Sequence, residues 1–237
     1  MSSHDKGSTH AVARDPVNQV IFDLRERIGL ARLGAMNSQV WYQDPKRLVF
    51  TLARYKFVAK MLKGKDQVLE IGCGDGFGAR IVKQEVQNLT VTDFDPLLVE
   101  EAKGGMIEPW VYEAKTHDIL EAPVPGAFDA AYSLDVMEHI PEEMEERYLR
   151  NIISSLKPHG VLIVGMPSLE SQTYASAASK AGHVNCKNGE TLRSVMQKHF
   201  HNVFMFSMND EVVHTGFMPM AHYVFAVCAT PRYSAGT

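Results

Sequence analysis

Cysteine is scarce in this chain. The three thiols, Cys73, Cys186 and Cys228, are odd in number and far apart. That excludes a disulfide framework and a paired-cysteine zinc knuckle, and it suits a reducing, cytoplasmic setting. An excess of positive charge is lacking as well. Twenty-four Lys and Arg stand against 28 Asp and Glu, a net charge of -4, so no basic nucleic-acid surface is expected. No apolar run approaches the roughly 20 residues that span a bilayer. The polar opening MSSHDKGSTH has none of the apolar stretch of a signal peptide. Internal repeats and an interdomain linker are absent too.

What is present is a globular composition, 45% hydrophobic and 22% charged over 237 residues. That is enough for one core with an added cap. The expected organisation is a single domain over 1–237. Residues 1–15 are weakly anchored, 16–63 form a helical cap and 64–237 form the core. Apolar residues at Val17, Val20, Ile21, Leu24, Ile28 and Ala31 predict one amphipathic helix from Pro16 to Met36. Asp44-Pro45 starts another. From Gln67 onward short apolar strands alternate with helical stretches, which predicts an α/β fold with a mostly parallel sheet covered on both faces. Two late strands, 203–206 and 223–229, predict an antiparallel edge. Residues 167–188 form a long, weakly periodic connection of the kind that serves as a lid.

The sharpest local signal is Val68-Leu69-Glu70-Ile71-Gly72-Cys73-Gly74-Asp75-Gly76-Phe77-Gly78. A strand runs into a glycine-rich bend and a helix follows, so backbone N–H groups face a ligand. Gly72, Cys73 and Gly74 form the bend. Glu70, directly before it, disfavours a dinucleotide pyrophosphate and suits a cationic amino-acid group. After the next strand comes Asp93-Phe94-Asp95-Pro96, where either carboxylate suits a ribose diol. Asp95 follows Gly72 by 23 residues. A ligand-free strand–helix turn and a solvated strand end are the plain structural alternatives.

VLEIGCGDG, VTDFDP, FDAAYSLDVMEHI and LKPHGVLIVGMPS, in that order over roughly residues 66–168, resemble the class I S-adenosylmethionine-dependent methyltransferase family. The resemblance implies a Rossmann-like sheet of seven strands with the last antiparallel, and S-adenosyl-L-methionine as cofactor. It places Glu70 to Gly78 at the methionine part and Asp95, with Asp93 next in line, at the ribose. Asp118 falls at the adenine amine, Ile119 against the adenine ring, and Leu134 and Asp135 close to the cofactor. A fainter resemblance, to methyltransferases of bacterial sugar and surface-polysaccharide pathways, makes a sugar hydroxyl the first acceptor to consider.

His139, just past the fourth strand, has a general base's chemistry. His183, in the long connection, competes with it, and Asp135 is placed to steer either. Packing is the alternative for both. Asn185 and His214 are candidates for the acceptor pocket. Trp41, expected in a turn, and Tyr42 and Tyr174 are candidates to close over the substrate, with core packing as their alternative. Asp210, Glu211 and His214 are ligand types for a divalent cation, which is admitted but not favoured. The partner expected is a small-molecule substrate, without nucleic acid or membrane, and a homodimer is left open. An N-methyltransferase of a small amine or macromolecule, an oxidoreductase on a similar sheet and a non-catalytic cofactor-binding protein are the rival readings.

Overall fold

The computed structural model describes residues 12–233. Contacts divide the chain into a unit ending at Arg32 and a larger one beginning at Leu33. In the first unit the single helix expected from Pro16 to Met36 is shorter. A 3-10 turn, Pro16–Asn18, leads into α1 (Gln19–Ile28), which stops at Gly29. Its apolar residues Val20, Ile21, Leu24 and Ile28 are exposed.

The larger unit holds α2 (Ala35–Gln43) and α3 (Pro45–Met61). Next come β1 (Gln67–Ile71), α4 (Ala79–Lys83), β2 (Asn88–Asp93), α5 (Pro96–Gly104), β3 (Glu113–Thr116) and β4 (Phe128–Leu134). They are followed by α6 (Glu145–Ser154), β5 (Leu156–Pro167), α7 (Ala177–Gly182), α8 (Gly189–His199), β6 (Phe200–Asn209), β7 (Val212–His214) and β8 (Tyr223–Pro231). Asp44 and Pro45 open α3, and Asp95 caps α5 through Leu97 N at 2.9 Å. None of the described helices is long and apolar enough to cross a membrane.

One sheet runs in the order β3-β2-β1-β4-β5-β8-β6-β7. The pairs β1/β2, β1/β4, β2/β3 and β4/β5 are parallel, and β5/β8, β6/β8 and β6/β7 are antiparallel. The sheet therefore has eight strands rather than the seven expected, with more antiparallel pairing. The extra strand is β7. Asp210, at φ 50°, turns the chain straight back after Asn209, so a three-residue strand pairs where sequence alone suggested a loop.

Period-2 alternation covers both faces. Leu69, Ala131, Leu162 and Val224 join one core with α6 and α8. Val68, Ala130, Ile163 and Phe225 join another with α3 and α4. β1 and β4 are neighbours, yet the chain leaves β1 toward β2 on the other side. The crevice beyond their carboxyl ends is where open α/β sheets bind ligands.

Candidate active site

The glycine bend is held from three sides. Gly72 N and Cys73 N donate to Thr92 O at 2.8 and 2.9 Å. Gly74 N donates to Asp93 Oδ2 at 2.9 Å, and Asp93 Oδ1 takes Asp95 N. Asp93 is thus consumed as a clamp on the bend. Asp95 keeps one carboxylate oxygen without a partner among the described residues, since only its Oδ1 is used, by Leu97 N. Asp118 likewise spends Oδ1 on Leu120 N and leaves Oδ2 open. The bend itself allows a backbone-only surface. Gly72 has φ 75°, and a Cβ there would lie 2.2 Å from Val136 Cγ2. At Gly74 a Cβ would lie 2.7 Å from Met36 Sδ. Asp75 ties the bend to the start of α2, accepting from Asn37 N at 2.9 Å and from Asn37 Nδ2 at 2.6 Å. This supplies the cap that α2 lacks at Gly34.

Glu70 is 1% exposed, and both its oxygens are taken. Tyr55 Oη donates to Oε1 at 2.9 Å and Tyr132 Oη to Oε2 at 2.8 Å. Tyr132 is its register partner across β1/β4. Burial raises the Glu70 pKa to about 7, against the two phenolic hydrogen bonds, which lower it. The folded protein therefore keeps this proton until about pH 7, whereas the unfolded chain releases it near 4.5. Stability should fall as pH rises through that window and level off above it, by about 3 kcal/mol for the 2.5-unit shift. Urea midpoints at pH 5 and 7.5 should show this slope in the native protein and not in Glu70→Gln. Equal slopes in the two would refute it.

Beyond β4 lies a polar cluster. Asp135, at φ 56°, accepts Arg54 Nη1 on both oxygens, at 2.9 and 2.7 Å. The Arg54 guanidinium stacks 3.9 Å from the centre of the Tyr223 ring. Glu138 is fully buried with both carboxylate oxygens unpartnered, as are Arg54 Nε and Tyr223 Oη. Burial, and then the Asp135 charge, hold the Glu138 carboxyl well above the usual range.

His139 and His183 lie edge to face, with ring centres 5.1 Å apart. His139 Nδ1 meets Gly182 O at 2.8 Å, and His183 Nδ1 meets Gln172 Oε1 at 2.8 Å. Gln172 Nε2 donates to Ser168 O at 3.2 Å, which fixes that amide's orientation. Both acceptors are oxygens, so each Nδ1 carries a proton and each neutral ring keeps its lone pair on Nε2. Burial, then the neighbouring His139, lowers the His183 pKa.

The structure thus gathers His139, His183 and Asp135 at one end of the sheet. Within the 167–188 connection, Ser168 and Lys187 bridge at the base, and a 3-10 turn (Glu170–Tyr174) and α7 lie between them. Asn185 is spent on structure rather than left open to a substrate. It is buried, its Nδ2 donates to Glu145 Oε2 at 3.0 Å, and Lys187 Nζ pairs with the same oxygen at 2.7 Å. Asn185 N also donates to Glu138 O at 2.9 Å, which anchors the segment two residues past His183. Glu138, Arg54, Tyr223 and Gln172 escaped the sequence reading. Only Glu138 left a signal, an acid between the apolar Met137 and the flagged His139.

The remaining candidates are dispersed. Leu134 is buried on the α3 side of the sheet and Ile119 on the α6 side. Cys73 is buried too, and that burial pushes its thiol pKa up, away from reactivity. Trp41 and Tyr42 lie within α2, not in a turn, and are 51% and 84% exposed. The local chain stays helical up to Asp44, whose N–H still bonds to Val40 O. Tyr174 is 89% exposed. His214 has both ring nitrogens engaged, Nε2 with Asn209 Oδ1 at 2.8 Å and Nδ1 with Gly216 N at 2.9 Å. It holds the β6–β7 hairpin. Asp210 and Glu211 form the tip of that hairpin. They do not group with His214 as metal ligands among the described residues.

A family described as Methyltransferase domain matches residues 41–199, which include Arg54, Asp135, Glu138, His139 and His183. The chain belongs to that methyltransferase family. As a member of it, the chain is an enzyme. Over 162 residues this methyltransferase is 27% identical to "Ubiquinone biosynthesis O-methyltransferase" of Xanthomonas campestris pv. campestris (strain B100), covering 65% of the chain and 67% of the relative. Its fold is similar to that of N-methyltransferase NodS from Bradyrhizobium japonicum WM9 in complex with S-adenosyl-l-homocysteine. The TM-score is 0.58 at 18% identity, covering 81% of this chain and 91% of that one. The plantazolicin methyltransferase BpumL in complex with S-adenosyl-l-homocysteine is similar at TM-score 0.59 and 16% identity, covering 82% and 93%.

Proposed function

We propose that this methyltransferase methylates a hydroxyl group of a small molecule. The observation that carries this reading is the pair of imidazoles, each with Nδ1 anchored on an oxygen and Nε2 turned free, beside the unpartnered Glu138 carboxylate. A hydroxyl needs help losing its proton, whereas a neutral amine already presents a lone pair. The name of the Xanthomonas relative, an O-methyltransferase, supports the same class. A sugar or sugar-conjugate hydroxyl remains the acceptor suggested by sequence, and that relative's name adds a hydroxyl of ubiquinone biosynthesis.

The residues fit the cofactor. The open Asp95 oxygen suits a diol and the open Asp118 oxygen an exocyclic amine. The bare backbone at Gly72 and Gly74 leaves room for close approach. When bound, S-adenosylmethionine supplies a methyl group on a sulfonium sulfur. The protein's own part is alignment of the acceptor and activation of its hydroxyl at the Glu138–His139–His183 cluster. Asp135 acts on this cluster by position, held by Arg54.

Methyl-labelled cofactor with a panel of sugars, nucleotide sugars, catechols and amines tests the class, and label only on amines would sink it. His183→Ala should lower kcat on the hydroxyl acceptor by about 100-fold, the low end for a lost acid–base group. Affinity for S-adenosylhomocysteine should stay within about twofold of the native value, because His183 lies outside the proposed cofactor contacts. Calorimetry and single-turnover rates separate the two.

A further inference from the structure

We propose that Glu138, His139 and His183 form a binding site for one divalent transition-metal cation, which receives the acceptor hydroxyl. Three observations converge on it. One ligand atom from each residue lies within 4.8 Å of the others. A cation bonded at about 2.0–2.2 Å to imidazole and carboxylate closes that span with small side-chain rotations. Both imidazoles are prepared as ligands, since each Nδ1–H is spent on an oxygen, Gly182 O or Gln172 Oε1. That arrangement sets the tautomer and aims the Nε2 lone pair, as the outer hydrogen bonds of metal-bound histidines do.

The third observation is independent of the histidines. The Glu138 carboxylate is fully buried, and neither oxygen has a hydrogen-bond partner. Leaving a buried carboxylate so is costly, and coordination to a cation removes the cost. The nearby cation of the protein, Arg54, donates through Nη1 to both Asp135 oxygens and makes no hydrogen bond to Glu138.

The donor set decides the class of ion. Two imidazoles and one carboxylate suit Mn, Fe, Co, Ni or Zn rather than the all-oxygen preference of Mg or Ca. Three protein ligands leave coordination positions open, the arrangement of catalytic rather than structural sites. His139 is the exposed member of the three, so the open positions face solvent on its side. The site is distinct from the acidic hairpin tip at Asp210 and Glu211.

The role assigned to the cation rests on the hydroxyl reading above. The acceptor oxygen replaces a water on the cation, and its proton leaves to solvent water. The oxygen lone pair then forms the new C–O bond while the methyl C–S bond breaks and its electron pair stays on sulfur. The products are a methyl ether and a neutral thioether. In this form the Nε2 atoms are ligands and take no proton themselves.

The test uses the full chain, stripped with chelator and titrated with Co²⁺. The expected result is one equivalent bound by calorimetry, with visible ligand-field absorption. Glu138→Gln should weaken binding at least about tenfold, the scale of losing a ligand or its support. The double variant His139→Ala/His183→Ala should abolish the absorption, and Asp210→Ala should leave it unchanged. Thermal unfolding provides a readout that does not depend on the variants folding well. Native protein should gain stability with Co²⁺ concentration as a one-site ligand does. Absence of the absorption and of that gain in native protein would overturn the site. If Co²⁺ binds as described and label goes only to amines, the site stands and the hydroxyl reading falls. If stripped protein methylates a hydroxyl at the full rate, the hydroxyl reading stands and the cation's role is overturned.

Discussion

Gly72→Ala should lose both stability and cofactor affinity, because two separate constraints meet at that position. Its φ of 75° is one that a side chain resists, at about 1–2 kcal/mol. The new Cβ would also sit 2.2 Å from Val136 Cγ2, and overpacking of that kind costs about 1–3 kcal/mol. Together they predict a loss of about 2–5 kcal/mol in urea unfolding. Val136 follows Asp135 directly, so relief of the clash pushes on the segment that carries Glu138 and His139. Calorimetry with S-adenosylhomocysteine should show affinity lowered by about 100-fold, equivalent to roughly 2.7 kcal/mol. Adding Val136→Ala should recover the steric part of the stability loss and leave the backbone part. Full recovery in the double variant would show that φ does not matter here. No loss in the single variant would refute the geometry of the bend.

The second large effect is expected at Arg54. Its guanidinium holds both Asp135 oxygens and stacks on Tyr223, while Asp135 itself occupies a left-handed backbone position. Removing the cation leaves Asp135 beside the buried Glu138 with nothing between them to offset repulsion. A fully buried pair broken on one side costs about 3–5 kcal/mol. The Asp135 side chain is 36% exposed and Arg54 19%, so about 2 kcal/mol is expected for Arg54→Leu after solvent screening. Turnover should fall by more than stability suggests, by about 100-fold, since the shift is passed to residues at the reacting end of the sheet. Arg54→Lys keeps the charge and one nitrogen able to meet both Asp135 oxygens, as Nη1 does, but loses the flat guanidinium stacked on Tyr223, and should recover most of the stability and little of the rate. A lysine variant with the native rate would reduce Arg54 to a simple counter-charge.

Much of the fold was legible in the sequence because local patterns and the final packing agree. The strand Gln67–Ile71 and the glycine bend follow from an apolar run and turn residues. The helix after Pro16 ends at Ile28, short of the expected Met36, since apolar spacing continues past Gly29 although the helix does not. The strand Val212–His214 leaves no mark in the sequence because three residues carry no period, and only the turn at Asp210 brings it against β6.

At the candidate site the division is sharper. Sequence by itself determined the α/β order, the family and the positions of the carboxylates that follow β2 and β3, because those depend on residues a few positions apart. It also named His139 and His183. Tertiary structure alone decided that these two, 44 positions apart in the chain, come together with Glu138. It also decided that Asp93 is a clamp, that Asn185 and His214 are consumed by neighbours, and that Arg54 reaches Asp135 across 81 positions. The physical reason is that a side chain's role depends on which of its hydrogen-bonding atoms remain unpaired, and those pairings are made between elements that only the packed sheet brings together.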